Sequence, residues 1–434
     1  MKTKLIILLI LTTMIHTNTV NAQHSQLKRA DFQQTIDGKQ TDLYFLRNKN
    51  GIEIAITNFG GRVVEFWTPD KKGHFEDIVL GHDHVDKYLH YKGERFLGAT
   101  IGRYGNRINK GKFTLNGQTY QLPINDTPNS LHGGFKGFDM VVWDVEQPDS
   151  QTLQLTYLSK DGEEGYPGNL QVSMSYKLTD KNEFIITHQA QTDKETVINL
   201  THHSFFNLHG AGNKDINDHI LMINADKFTP VDQTLIPTGI LQDVEGTPMD
   251  FRRPTPIGKR VNDSFEQLEF GHGYDHNWVL NRKTSNTPEL AATVYEPASG
   301  RYLEVWTTEP GLQFYGGNFF DGTMTGKQKR NTTTGLPSHW KPSTIRIVLT
   351  NRHSRQQPSY PEILTNIYAS IKSMYNENHK TFICRSSTNR TDANGVSVSH
   401  RQYPANTPLA RAKRSPDRRC FLESETRYLE ENNH

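Results

Sequence analysis

Residues 30 to 320 read as strand after strand, with apolar residues at alternate positions in segment after segment, and this period constrains the fold more than any other feature of the chain. In Gly51–Thr57 the alternation places Ile52, Ile54 and Ile56 on one face; Leu170, Val172, Met174, Tyr176 and Leu178 repeat it with polar residues between. Leu153, Leu155 and Tyr157 form a shorter copy. Successive strand side chains point to opposite faces, so this pattern marks strands buried on one side. Asn116-Gly117, between Phe113-Thr-Leu115 and Gln118-Thr-Tyr120, predicts a two-residue hairpin. Turn pairs at Pro69-Asp70, Lys72-Gly73, Asp161-Gly162 and Ser299-Gly300 recur too often for long helices, and no amphipathic helix of more than about two turns stands out. The expected fold class is all-β, a large antiparallel β-sandwich whose loops carry the chemistry.

The N-terminus sets an expected compartment. Met1, Lys2 and Lys4 precede an unbroken apolar run, Leu5 to Leu11, and Val20-Asn21-Ala22 puts small residues where a signal peptidase reads. Residues 1–22 therefore read as a signal peptide cleaved before Gln23, giving an exported protein, periplasmic or secreted. The apolar run is too short for a span of roughly 20 residues, so no membrane span is expected. Both cysteines, Cys384 and Cys420, fall late. A cysteine nucleophile, a thiolate zinc site and an iron–sulfur cluster are thereby excluded from the first three hundred or so residues.

Five polar and aromatic clusters carry candidate chemistry. They are Gly102-Arg-Tyr-Gly-Asn-Arg-Ile108, Ser130-Leu-His-Gly-Gly134, Asn199-Leu-Thr-His-His-Ser-Phe-Phe-Asn-Leu208, Gly273-Tyr-Asp-His-Asn-Trp278 and Thr308-Glu-Pro-Gly-Leu-Gln-Phe-Tyr-Gly-Gly-Asn318. Adjacent His202 and His203 on a strand face opposite ways, so only one addresses a given pocket. Histidine suits proton transfer near neutral pH, and paired glycines let backbone approach a ligand closely. Singly, each cluster has a bland alternative: a satisfied histidine, or a structural turn with a salt-bridged arginine.

Together and in this order the clusters resemble the aldose 1-epimerase (galactose mutarotase) family. The match runs through almost all of residues 30–327 and includes Glu164-Gly-Tyr-Pro-Gly168 and Glu296-Pro-Ala-Ser-Gly-Arg301. The resemblance implies a galactose mutarotase-like supersandwich that interconverts α- and β-anomers of an aldose. It implies His203 as the acid that protonates the ring oxygen and His132 as the second histidine there. Asn106, Arg107, Asp275 and Gln313 would hold the hydroxyls, with Trp278 or Phe206 over an apolar sugar face. Ring opening needs an acid–base pair and no metal or redox cofactor. The expected partner is a small-molecule aldose, with no nucleic acid and a monomeric chain. A sugar-binding module without catalysis and an epimerase for phosphorylated sugars are the rival readings; the first has no use for two histidines poised for proton transfer.

One departure is expected to matter. The family's general base is a glutamate in a C-terminal segment reading roughly "LETQHYPDSPN", which this chain lacks. Read one base out of step, His339-Trp340 must give leucine and Trp340-Lys341 must give glutamate, and permitted codons for the following residues supply T-Q-H-Y-P-D-S-P-N. The epimerase domain is accordingly assigned to residues 23–327 with its C-terminal part missing, and 328–434 to an out-of-frame, largely disordered tail. That tail carries 17 Lys and Arg against 8 Asp and Glu, where the remainder has 32 against 39. On this reading its basic charge, its cysteines and its sequons at Asn331 and Asn389 have no functional content.

Overall fold

Among the described residues the hydrophobic alternation resolves into three larger sheets of antiparallel strands and four two-stranded pairs. The computed structural model describes residues 23–284, 287–320, 324, 326 and 327, together with the backbone of 345–350 and 363–373. All of these lie in one compact unit, Met1–Tyr375. The signal-peptide stretch, both cysteines and both sequons lie outside the described residues.

A nine-stranded sheet runs in the order Asp144–Asp149, Thr152–Ser159, Leu170–Leu178, Glu183–Thr192, Ile363–Ser373, Arg301–Thr307, Glu289–Tyr295, Ile220–Ile223 and Thr255–Pro256. A six-stranded sheet runs Phe205–Phe206, Ile345–Thr350, Gly311–Tyr315, Asp275–Leu280, Ala225–Thr229 and Gln242–Asp243. A four-stranded meander takes Leu43–Arg47, Glu53–Thr57, Arg62–Pro69 and Phe75–Asp77. One continuous core joins the three: Ile54 and Phe66 from the meander, Val172, Met174 and Leu303 from the large sheet, and Phe228, Trp278 and Phe314 from the six-stranded one. Each buries its apolar face on the others, as layered β architectures require. The α-helices among the described residues are short, Val85–Leu89 and Glu266–Gly271.

In Leu170–Leu178 the five alternating apolar residues are buried and the four between them are half-buried or exposed. Asn116 and Gly117 form the expected two-residue loop between paired Leu115 and Gln118, with φ of 51° and 77°, the double positive φ that a twisted hairpin demands. Glu53–Thr57 departs from the expectation of one buried face, because all five residues are buried. Ile54 and Ile56 enter the main core, while Ala55 joins a second cluster with Leu27, Phe32 and Leu43. The segment after Gln23 folds over this outer face, and the Ser25 N–H donates to the Glu53 carboxylate at 2.8 Å. An alternating pattern with small or paired polar residues does not reveal such a cover.

Among the described residues two strands lie beyond Lys327, in the stretch expected to be largely disordered and to leave the sandwich short. Ile345–Thr350 pairs with Gly311–Tyr315 and Phe205–Phe206, and Ile363–Ser373 fills the gap between Glu183–Thr192 and Arg301–Thr307. Ile345-Arg-Ile-Val-Leu-Thr350 is rich in β-branched residues, which suit a pleated ladder, and each segment satisfies strand edges that would otherwise be unpaired.

Burial along Thr152–Ser159 gives an internal contrast. Leu155 is fully buried and Leu158 is 47% exposed. Leu155→Ala is expected to cost ~2–5 kcal/mol and Leu158→Ala less than about 0.5 kcal/mol in urea unfolding; equal losses would contradict this placement.

Candidate functional site

The short strand Thr201–His203 pairs antiparallel with Ala99–Ile101, and its pleat sends its two histidines apart. His202 turns into the core, where the Tyr176 hydroxyl donates to the Gly61 carbonyl at 2.6 Å and lies 3.3 Å from His202 Nδ1. With that hydroxyl proton committed, His202 Nδ1–H is the donor, and Nε2 accepts from Ser204 Oγ at 2.6 Å. Burial pushes His202 down to about 3, so it is a neutral structural group. His203, fully buried on the other side, meets His132 edge to face with ring centroids 5.1 Å apart.

His132 reaches this place through an unusual backbone. Its φ is 52°, and Gly133 and Gly134 follow at 87° and 103°, a left-handed run that only the glycines adopt without strain. The loop swings the imidazole beneath the Asn106 amide, whose N–H donates to His132 Nδ1 at 2.9 Å. A neutral ring accepting at Nδ1 carries its proton on Nε2, so His132 is held as the Nε2–H tautomer. Asn106 itself has φ 67°, and its side-chain oxygen accepts from the Arg107 N–H at 2.9 Å.

A polar rail continues from Asn106. Its Nδ2 donates to Gln313 Oε1 at 3.4 Å, and Gln313 Nε2 donates to Asp275 Oδ1 at 2.8 Å. Gln313 and Asp275 come from neighbouring strands in which Asp275 pairs with Tyr315 and Asn277 with Gln313, so odd-numbered residues of both share a face. Arg107 is aimed by an ion pair from Nε to Asp126 Oδ2 at 2.7 Å. The structure thus brings together His203, His132, Asn106, Gln313 and Asp275 in a connected set, with Arg107 bonded to Asn106 through its backbone.

Two expected residues do not reach the site. Trp278 is fully buried, donates from Nε1 to the Met249 carbonyl at 3.0 Å, and packs on Phe251 and Phe314. The period of two puts it on the core side of the strand that presents Asp275. Phe206 likewise joins the core against Phe66. The aromatic beside the histidines is Phe96, with centroids 4.7 Å from His132 and 5.4 Å from His203. Sequence reasoning missed it because Phe96 lies outside every motif, in a loop that tertiary folding carries to the rings.

Buried arginines brace these loops. Arg95 donates from Nε and Nη2 to the two oxygens of Asp139 at 2.7 and 2.9 Å and lies 5.0 Å from the Phe96 ring centre. Arg62, fully buried, donates to the Asp139, Arg95 and Leu97 carbonyls. Arg103 binds the Pro167, Gly168 and Ser159 carbonyls, which makes it a structural member of its motif, while Asn106 bonds His132 and Arg107 bonds Asn106.

Among the described residues one group has the spacing of metal ligands: His209, Asp218 and His219. The Leu208 N–H donates to His219 Nε2 at 3.1 Å, so His219 Nδ1 bears the proton and faces Asp218 Oδ1 at 3.2 Å. A cation on that nitrogen would need an imidazolate, and the cluster fits a hydrogen-bonded brace better than a metal centre. Glu296 and Arg301 complete it: Glu296 accepts from the Ala298 and Ser299 N–H groups, and Arg301 Nη1 donates to the Leu208 carbonyl.

His188 and His276 are also buried and pushed down to about 4, each mainly by loss of water. Below the ordinary value of 6.5 the unfolded chain takes up protons that these folded groups refuse. Stability is therefore expected to lose no histidine contribution above about pH 6.5 and to fall by a few kcal/mol in sum as pH drops towards 4. His202→Asn, which keeps a donor amide but does not titrate, should flatten part of that fall in denaturant midpoints measured from pH 7.5 to 4.5; an unchanged slope would remove His202 from this account.

Comparison with known proteins gives a consistent neighbourhood. A sequence model described as Aldose 1-epimerase matches residues 42–357, running on past Lys327. Galactose mutarotase of Rattus norvegicus is 46% identical over 283 residues, covering 65% of this chain and 80% of that protein. Aldose 1-epimerase of Escherichia coli K12 is 37% identical over 287 residues, covering 66% and 82%. Among solved structures, galactose 1-epimerase from Lactobacillus acidophilus superposes with a TM-score of 0.66 at 27% identity, covering 78% of this chain and 96% of that one.

Proposed function

The chain belongs to the aldose 1-epimerase family, and we propose that its His132–His203 site interconverts the α- and β-anomers of free hexoses such as galactose and glucose. The observation that carries this reading is the edge-to-face histidine pair beside the rail Asn106–Gln313–Asp275. Opening a hemiacetal requires a proton delivered to the ring oxygen and one removed from the anomeric hydroxyl. His203 supplies the first, and His132, held as the Nε2–H tautomer, donates a hydrogen bond to the same oxygen. The C1–C2 bond then rotates, and closure runs the transfers in reverse. Asp275, Gln313, Asn106 and Arg107 hold the hydroxyls, the two charged groups contributing the stronger bonds. Phe96 provides the aromatic wall beside both imidazoles, the part earlier expected of Trp278 or Phe206.

The general base is the remaining requirement. The family pattern puts it in a glutamate segment that this reading frame does not encode, and a positioned base commonly contributes ~10²–10⁴-fold. The chain as written is therefore a slow enzyme, and the reading shifted by one base from about Gln328 is its active counterpart. Polarimetry of freshly dissolved α-galactose tests both points. The shifted version should exceed the written one by about two to four orders of magnitude, and His203→Ala should abolish most of that gain. A shifted version no faster than buffer, yet able to bind galactose, would favour a sugar-binding module instead. The basic start, Leu5–Leu11 and Val20-Asn21-Ala22 support export after cleavage before Gln23, which N-terminal sequencing of the protein from its native culture checks.

A further inference from the structure

The loop that carries His132 does not hold itself in place. Residues 132–134 are all left-handed, and the loop's own backbone supplies a turn bond from the Gly134 N–H to the Leu131 carbonyl at 3.1 Å. The His132 N–H also donates to the Asn106 carbonyl at 3.2 Å, and side chains from outside do the rest. Asn125 accepts from the Leu131 N–H at 2.8 Å and donates to the Leu131 and Gly134 carbonyls, both at 2.9 Å. Arg95 Nη1 donates to the Gly134 carbonyl at 3.1 Å.

From the opposite direction comes Glu164, in a sequence motif, Glu164-Gly-Tyr-Pro-Gly168, that the acid–base chemistry leaves unused. Its Oε2 accepts from the Phe135 N–H at 2.9 Å and its Oε1 from the Lys136 N–H at 3.0 Å. The fit is close enough that a Cβ on Gly134 would collide with this carboxylate. Glu164 has a rigid mount. It sits at φ 48° in the turn Glu163–Gly165; Arg103 ties down the carbonyls of Pro167 and Gly168; and Glu163 accepts from the Tyr157 hydroxyl at 2.8 Å. A carboxylate bonding two backbone N–H groups with both oxygens gives a directional, charge-assisted grip.

We propose that Glu164 is a positioning residue for the reaction: its grip on the Phe135 and Lys136 amides keeps the loop closed, so that His132 stays under the Asn106 N–H as the Nε2–H tautomer. Glu164 bonds the loop's backbone at Phe135 and Lys136. It acts through the loop, and a histidine released from the Asn106 amide would populate both tautomers, one of which offers a lone pair where the reaction needs a donor. The effect on the tautomer stands by itself, and the effect on rate rests on the function proposed above.

The test uses the full-length chain, labelled with ¹⁵N, and reads the His132 ring in two-bond ¹H–¹⁵N spectra, with His132→Gln for assignment. The unaltered chain should show the Nε2–H pattern alone. Glu164→Ala should show a mixture of tautomers, and Glu164→Gln, which turns one amide donor against a backbone N–H, an intermediate pattern. Mutarotation by the reading shifted by one base, carrying the same substitution, should fall about tenfold in kcat for Glu164→Ala with KM changed less than about twofold, as expected when a reacting group is misplaced but binding is not. A single Nε2–H tautomer with undiminished kcat in Glu164→Ala, whatever its melting temperature, overturns the proposal and leaves Glu164 a purely structural contact. If that variant does not fold, an unaltered tautomer in Glu164→Gln overturns it equally. A mixed tautomer in Glu164→Ala, together with no measurable mutarotation by the unaltered shifted version, would uphold the positioning of His132 and remove the proposed function of the site.

Discussion

The pairing of Thr201–His203 with Ala99–Ile101 is the constraint on which the rest of the site depends. A strand of three residues has little freedom once paired, because a slip of one position would exchange its faces. The register His202↔Thr100 puts one imidazole against Tyr176 and Ser204 and the next against Phe96, His132 and Phe205. The same chemical group is thereby given two fates in adjacent residues. One is desolvated and neutral; the other is set among rings at the end of a polar rail.

Around this strand the structure uses charge as scaffolding. Arg62, Arg95 and Asp139 are all buried and bonded to one another and to backbone carbonyls. Burying such groups is costly unless every one finds partners, so the cluster tolerates little rearrangement, and that intolerance passes to the loops it binds. Glu296 and Arg301 brace the Asn207–His209 turn in the same manner, which is how two motifs far apart in the chain, Ser204–Leu208 and Glu296–Arg301, come to serve one place. Loops that carry reacting groups need such external support because a loop lacks the repeating hydrogen bonds of a sheet.

The sheets supply the frame but do not choose what lines it. Asp275 and Gln313 face the same way because their strands are antiparallel neighbours with matched pleats. That relation is a property of the pairing, and neither motif contains it. Conversely Trp278, three residues from Asp275 and chemically suited to a sugar face, is removed from the site by the same pleat. Beyond Lys327 the ladder outweighs the composition: Ile345–Thr350 and Ile363–Ser373 lie between strands whose edges they satisfy, within a stretch rich in polar and basic residues.

By itself the sequence determined the all-β class, the turn at Asn116-Gly117, the buried face of Leu170–Leu178 and the opposite fates of His202 and His203. These are local matters, decided by a period of two and by which residues tolerate positive φ. His132, Asn106, Arg107, Asp275 and Gln313 were legible as candidates only through the order of their motifs. Tertiary structure alone decided that Asn106 fixes the tautomer of His132, that Phe96 and not Trp278 stands beside the histidines, that Arg103 supports a turn while Arg107 pairs with Asp126, and that Glu164 grips the loop from outside. The physical reason is the same in each case: these are contacts between residues far apart in the chain, and the direction in which a side chain meets such a partner is set by strand register and by backbone angles in loops. Neither leaves a periodic trace in the order of amino acids.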